Sequence, residues 1–259
     1  QQLGNAMAAV VLLSATIKFD GNMIMQVQGN GPLKKLVVQV TSEGAVRGLA
    51  RWEGLVPEGS LQEVFGDGRI VITVLSQGAD PYQSVVALEG HTLADALNVY
   101  FLQSEQLPST FQMVTTPDCV AGFFLQQLPD SRSALERQLN EQAREEDWTR
   151  INVLAATVDS GELLGLQPET LLFRLFHEEQ LMLHAPKDLH FSCTCSRDKV
   201  ERTLLTIGRA EADDILQTDG KIEVDCEFCQ ERYLFNAADV EALFDTAGKG
   251  ELPTGSIVH

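Results

Sequence analysis

Apolar residues recur at helical spacing from the start of the chain. Leu3, Met7, Val10 and Leu13 fall on one face and predict a helix over 1–17. No capping residue precedes it, which predicts further chain upstream of Gln1. Over 22–128 the period changes. Met23–Gln28, Leu36–Thr41, Val46–Trp52, Ile70–Leu75 and Ser84–Leu88 are short β-branched or apolar runs. Turn signals separate them: Gly29-Asn30-Gly31-Pro32, Ser42-Glu43-Gly44, Gly66-Asp67-Gly68 and Gly78-Ala79-Asp80-Pro81. Thr92 and Asp95 have capping-box spacing and open a helix striped by Leu93, Leu97, Phe101 and Leu102, which Pro108 stops. Phe111–Thr115 and Val120–Leu125 read as two more strands. The segment 1–129 therefore reads as an α+β domain, helices packed on a largely antiparallel sheet.

Beyond Pro129 the pattern is helical but interrupted. Leu135 and Leu139 begin a stripe, Gln142 and Glu146 occupy its next positions, and it resumes at Trp148, Ile151, Ala155 and Val158. Such a helix has good propensity and weak packing, as a solvated surface helix or as a marginally stable connector. Pro168, Leu171, Leu172, Leu175 and Phe176 predict one more short amphipathic helix. In the next segment helices are predicted over Lys199–Ile207 and near Asp213–Leu216, and strands over Lys221–Asp225 and Arg232–Phe235. The chain thus divides into a core domain at 1–129, a helical linker at 130–184, a small cysteine-bearing domain at 185–237, and a C-terminal helix and tail at 238–259.

Composition narrows the partners. With 44% apolar residues the chain can build a core, and no apolar run reaches the ~18 residues of a membrane span. Ala6–Leu13 is too short and lacks the charged start of a signal peptide, so the protein reads as soluble and cytoplasmic. A net charge of −18 repels phosphate backbones and disfavours nucleic acid and membrane surfaces. It suits a protein that stays soluble while handling sticky material.

Five cysteines are present; four are packed as C-x-C (Cys193, Cys195) and C-x-x-C (Cys226, Cys229). In a cytosolic chain this pattern reads as metal or redox chemistry. A C-x-x-C turn places two sulfurs on one side of an ion. A C-x-C run in extended chain puts residues i and i+2 on one face, closing the other side. Four thiolates fit one tetrahedral zinc and leave no open coordination position for catalysis. Structural zinc supplies ~10–16 kcal/mol to small domains, against a whole-domain stability of ~5–15 kcal/mol. Oxidising one pair removes two ligands at once, so the ion leaves and the lobe loses its main support. Zinc thiolates stay deprotonated and open to oxidants such as hypochlorite. Adjacent partners favour local disulfides, Cys193–Cys195 and Cys226–Cys229. An inert structural zinc module and a thiol-disulfide oxidoreductase remain the alternatives.

Other motifs are absent or incomplete. His177-Glu178-Glu179 fails as a zincin helix because Leu181 stands where the second histidine is required. There is no P-loop and no nucleophile elbow. His190 is a weak substitute ligand, and Cys119, at the start of an apolar strand, reads as a small buried residue. No enzyme is indicated.

Several segments in order resemble the 33 kDa chaperonin family of bacterial redox-regulated holdases. They are ATIKFDG (15–21), QGNGP (28–32), LEGHTL (88–93), YFLQSEQLP (100–108), FHEE (176–179), FSCTCSR (191–197) and DCEFCQERYLFN (225–236). The resemblance implies an ATP-independent chaperone, inactive when reduced and zinc-bound and active when oxidised with its linker unfolded. It implies binding of unfolding client proteins and dimerisation through the N-terminal domain. Zinc and switch positions carry over to Cys193, Cys195, Cys226 and Cys229; Cys119 matches no switch position. Family members carry an additional N-terminal strand and helix before the segment matching Gln1, so the core domain reads as truncated.

Overall fold

The computed structural model describes residues 1–129 and 134–248, with side chains undescribed at 134–139 and 248. The chain folds as two compact units, 1–191 and 192–259.

In the first unit α1 (Gln2–Ser14) is followed by the strands β1 (Gly21–Gly29), β2 (Leu33–Thr41) and β3 (Ala45–Trp52). Then come the short α2 (Leu61–Phe65), β4 (Gly68–Ser76), β5 (Tyr82–Ala87) and α3 (Leu93–Tyr100). A hairpin of β6 (Ser109–Thr115) and β7 (Val120–Gln126) precedes α4 (Ala134–Ala155), α5 (Ser160–Gly165) and α6 (Pro168–Phe176). A two-residue strand, β8 (His190–Phe191), ends the unit. The main sheet runs β5-β4-β1-β2-β3-β8, antiparallel except for the parallel β3–β8 pair; β6 and β7 form a separate two-stranded sheet.

Strand alternation creates the core. Met23, Met25 and Val27 of β1 and Ile70 and Ile72 of β4 all point to one buried face. They pack against Ala6, Ala9, Val10 and Leu13 of α1 and Leu93, Ala96 and Leu97 of α3. On its other side α1 meets the β6–β7 hairpin, where Gly122 allows a close approach. A methyl group on Gly122 would lie 2.8 Å from Leu12 and 3.2 Å from Ala8. The capping boxes Ser60–Glu63 and Thr92–Asp95 close the N-termini of α2 and α3. After α3 the chain makes one π-helical turn, Phe101–Glu105. There the Tyr100 hydroxyl donates to the Glu105 carboxylate and shares a hydrogen bond with Ser84 Oγ (2.7 Å), tying edge strand β5 to this turn.

A satellite core holds the helices after β7. Phe123 of β7, Ala155 of α4, and Leu171, Leu175 and Phe176 of α6 are buried together. Ile151, Leu154 and Val158 pack on them, while Gln142 and Glu146 are exposed and bond each other at 2.9 Å. Among the described side chains of α4, those of its second half carry the packing. Leu135 and Leu139, which begin the predicted stripe, lie outside the described side chains. Arg150 pairs with Glu179, and Arg174 with Glu162 at 2.6 Å. These partly exposed pairs contribute little next to the apolar contacts.

Cys119 corrects one expectation. It is exposed, because it sits in the β6–β7 turn, where its backbone N–H donates to Thr116 Oγ1 at 3.0 Å.

Candidate metal centre

The second unit opens with the C-x-C run and α7 (Arg197–Ile207), capped by Ser196, whose side chain accepts from the Lys199 N–H. Next come α8 (Arg209–Asp219), the hairpin β9 (Ile222–Asp225) and β10 (Arg232–Phe235), and α9 (Ala237–Gly248). Its core is small: among the described residues Leu204, Ala212, Ile222, Phe235 and Val240 are buried together. The Arg197 guanidinium lies 4.2 Å from the Phe235 ring centroid and donates to the Leu234 carbonyl at 3.0 Å. The α7 start is thereby fixed to β10, directly after the C-x-C run.

The turn between β9 and β10 presents C-x-x-C. The Cys226 N–H donates to the Glu231 carbonyl and the Gln230 N–H to the Cys226 carbonyl, both at 2.8 Å. Gln230 has φ 61°, the left-handed geometry that reverses the chain after Cys229. The fold brings all four predicted cysteines together. Their sulfurs lie within 4.8 Å of one another, with Cys193–Cys226 at 3.6 Å and Cys195–Cys229 at 3.3 Å. Four thiolates ~2.3 Å from one tetrahedral zinc would be about 3.8 Å apart, so the spacing and the donor set fit that ion. His190 is exposed in β8 and belongs to the first unit.

The thiols are electrostatically divided. Burial pushes Cys193 up, but the Cys195 backbone N–H and the thiols of Cys195, Cys226 and Cys229 outweigh it and draw Cys193 down to about 6. At Cys229 a hydrogen bond from the Glu231 backbone favours the thiolate. The thiols of Cys195, Cys226 and Cys193, together with burial, prevail and push it up to about 12. Cys193 forms a thiolate readily, while the neighbouring sulfurs oppose ionisation of Cys229 unless a cation joins them. The Cys195 sulfur near the Tyr233 hydroxyl, together with burial, holds the phenol protonated well above its ordinary range. Ligand spacing does not reveal Tyr233 in this supporting role. The β9–β10 pairing, Tyr233 opposite Val224, brings it to the site.

Fold and site together define a class: an α+β protein carrying a small helical lobe built around a four-thiol, metal-type centre. The comparisons narrow the class to a family. A profile described as Hsp33 protein matches residues 1–236. A 33 kDa chaperonin of Nitrosococcus oceani is 48% identical over 243 residues, covering 94% of this chain and 81% of the relative. One from Shewanella loihica is 42% identical, covering 96% and 84%. The crystal structure of the 33 kDa chaperonin (heat shock protein 33 homolog) from Thermotoga maritima superposes with a TM-score of 0.78 at 27% identity, covering 95% of this chain and 85% of that one. The chain belongs to the Hsp33 family.

Proposed function

We propose that this protein is a redox-regulated, ATP-independent holdase that binds unfolding proteins under oxidative stress. The observation that carries this is the meeting of Cys193, Cys195, Cys226 and Cys229 within 4.8 Å in a chain of the Hsp33 family. The reduced centre holds one zinc per chain; bound there, the ion keeps the sulfurs as thiolates and supplies ~10–16 kcal/mol to the lobe. A lobe with so few buried side chains has little else to hold it.

Oxidation uses the thiolates themselves. The two sulfurs of one pair give two electrons to a peroxide, their S–S bond forms, and the peroxide leaves as water after taking up two protons. Cross-pair sulfurs are near one another only while the lobe is folded. Cys193–Cys195 and Cys226–Cys229 stay neighbours in the open chain, whereas residues 196–225 separate the cross pairs, which favours the local disulfides. Without its ligand set the lobe at 185–237 opens, and with it the linker at 130–184, whose packing rests on the small cluster around Phe176. The core at 1–129 stays folded, and the C-terminal segment 238–259 closes the chain.

The rest of the reading is a homodimer in the cytoplasm that binds clients and catalyses no reaction, with neither nucleic acid nor membrane as a partner. Among the described residues no helix is long and apolar enough to cross a membrane. The test is zinc release and suppression of client aggregation followed on one sample treated with peroxide and mild heat. The two should rise together and reverse with reductant plus zinc. Equal suppression by reduced and oxidised protein would remove the switch.

A further inference from the structure

The two halves of the thiol centre are held by different means. C-x-x-C is fixed by the backbone of its own hairpin turn, where the Cys226 N–H donates to Glu231 and the Gln230 N–H to Cys226. C-x-C is carried by the helix that follows it. Ser196 caps α7 directly after Cys195, and the Lys199 ammonium reaches back to donate to the Thr194 carbonyl at 2.6 Å. The C-x-C run and the start of α7 thus form one piece, and the place of that start decides where two of the four sulfurs lie. The apolar contact of α7 with the lobe core runs through Leu204, buried, and Val200, partly buried. Leu204 lies about two turns, roughly 10 Å, beyond Arg197. Packing so far along the helix does little to stop its metal-side end from pivoting.

We infer that Arg197 is the positioning residue of the C-x-C half of the centre, holding Cys195 against the C-x-x-C turn. Its guanidinium serves three elements at once. Nη1 donates to the Leu234 carbonyl of β10 at 3.0 Å, Nε meets Glu201 of α7 at 3.2 Å, and Nη2 meets Asp239 of α9 at 3.5 Å. The guanidinium carbon lies 4.2 Å from the ring centroid of Phe235, which is buried. Asp239 is itself fixed, because its carboxylate accepts from the Asn236 N–H at 2.9 Å. The two ion pairs are partly exposed and contribute little, so the weight falls on the Leu234 bond and the ring face. A planar fork with directed donors fixes the α7 start against β10, which a lysine, a point charge on a flexible stem, does not. With Arg197 in place the Cys195 sulfur sits 3.3 Å from Cys229. Without it the C-x-C half drifts, the ligand set opens at Cys193 and Cys195, and an ion left on C-x-x-C is removed sooner. The inference rests on reading the centre as a zinc switch, and it makes Arg197 the residue that sets how readily that switch trips.

The test uses the full chain, reduced and loaded with metal. Arg197→Ala and Arg197→Lys are compared with the wild type and with Arg209→Ala. Arg209 pairs with Asp213 of α8 and Asp245 of α9 in the same lobe, and its loss controls for a general fall in stability. Zinc transfer to a chelator should be about tenfold faster in Arg197→Ala, the worth of one charge-assisted hydrogen bond, and nearly as fast in Arg197→Lys. Arg209→Ala should match the wild type. Cobalt in place of zinc reports the ligand set through its visible thiolate absorption, which should be weaker per bound ion in Arg197→Ala. A residue that only supports the fold would lower the folded fraction and leave that absorption unchanged. Unchanged absorption overturns the assignment. So does release no faster than in Arg209→Ala, or wild-type release in Arg197→Lys. If Arg197→Ala does not load, the lysine variant decides by the same comparisons. Aggregation suppression by the oxidised wild type keeps the two readings apart. If zinc leaves and suppression is absent, the holdase reading falls and the chelator rates still judge Arg197; if the wild type binds no metal, both fall.

Discussion

Replacing Phe176 by alanine should unlock the linker without touching a thiol. The side chain is 4% exposed and stacks on Phe123 with ring centroids 6.4 Å apart and planes at 18°. It joins the end of α6 to β7 in a cluster that, among the described residues, has four other buried members, Phe123, Ala155, Leu171 and Leu175. Truncating a buried phenylalanine to alanine costs ~3–5 kcal/mol, from lost transfer free energy and from the cavity left behind. At ~1.4 kcal/mol per tenfold, amide protection in α6 and the second half of α4 should fall by about two to three and a half powers of ten. The loss should be local, because the main core of α1, α3 and β1–β4 is built from other residues. Hydrogen exchange on the reduced, zinc-loaded variant reads this directly, and an aggregation assay should find it partly active without oxidant. Protection lost equally in β1–β4 would mean that the linker and the core unfold as one unit. Protection unchanged in α6 would mean that Phe176 does not hold the linker. Either result refutes the reasoning.

Three further outcomes follow from the centre. Cys226→Ser should lose zinc to a chelator that leaves the wild type loaded, while Cys119→Ser, altering an exposed turn, should titrate like the wild type. Tyr233→Phe deletes the hydroxyl near the Cys195 sulfur and should weaken zinc affinity with the fold intact, read by chelator competition and circular dichroism. Zinc binding must displace the thiol protons. With Cys193 at about 6 and Cys229 at about 12 in the metal-free cluster, apparent affinity should fall as pH drops from about 8 to 6. Calorimetry in buffers of different ionisation enthalpy should register the released protons; a pH-independent affinity would contradict the protonated cluster.

Much of the architecture was legible because it obeys local rules. Each of the first seven strands was foreseeable as a β-branched run between turn signals, and Thr92 marked the start of α3 by its capping box. The C-x-C and C-x-x-C spacings pointed to residues that the fold does bring together. What escaped depends on distant partners. The five-residue α2 is too short for periodicity to register, although Ser60 and Glu63 carry its capping signal. The strand β8 exists because residues 190–191 meet 45–46, which no local pattern encodes. Cys119 was misjudged because adjacency to an apolar strand says nothing of which side of a turn a residue occupies. The polar gap at Gln142 and Glu146 was visible, and the solvated-surface reading of it holds at these two positions. Both face solvent, so leucines there would enlarge the exposed apolar surface without adding packing.

The position of α1 bears on how the chain is made. This helix is buried between the main sheet and a hairpin translated much later; Asn5 accepts from the Thr115 hydroxyl at 2.8 Å across a separation of 110 residues. At ~5–20 residues per second the ribosome needs about 6–20 s to supply that partner. For that interval the apolar stripe of Val10 and Leu13 emerges with part of its enclosure missing, and β1–β4 can cover only one side. A protein of a chaperone family thus passes through a phase in which its own helix α1 needs the shelter that such proteins give.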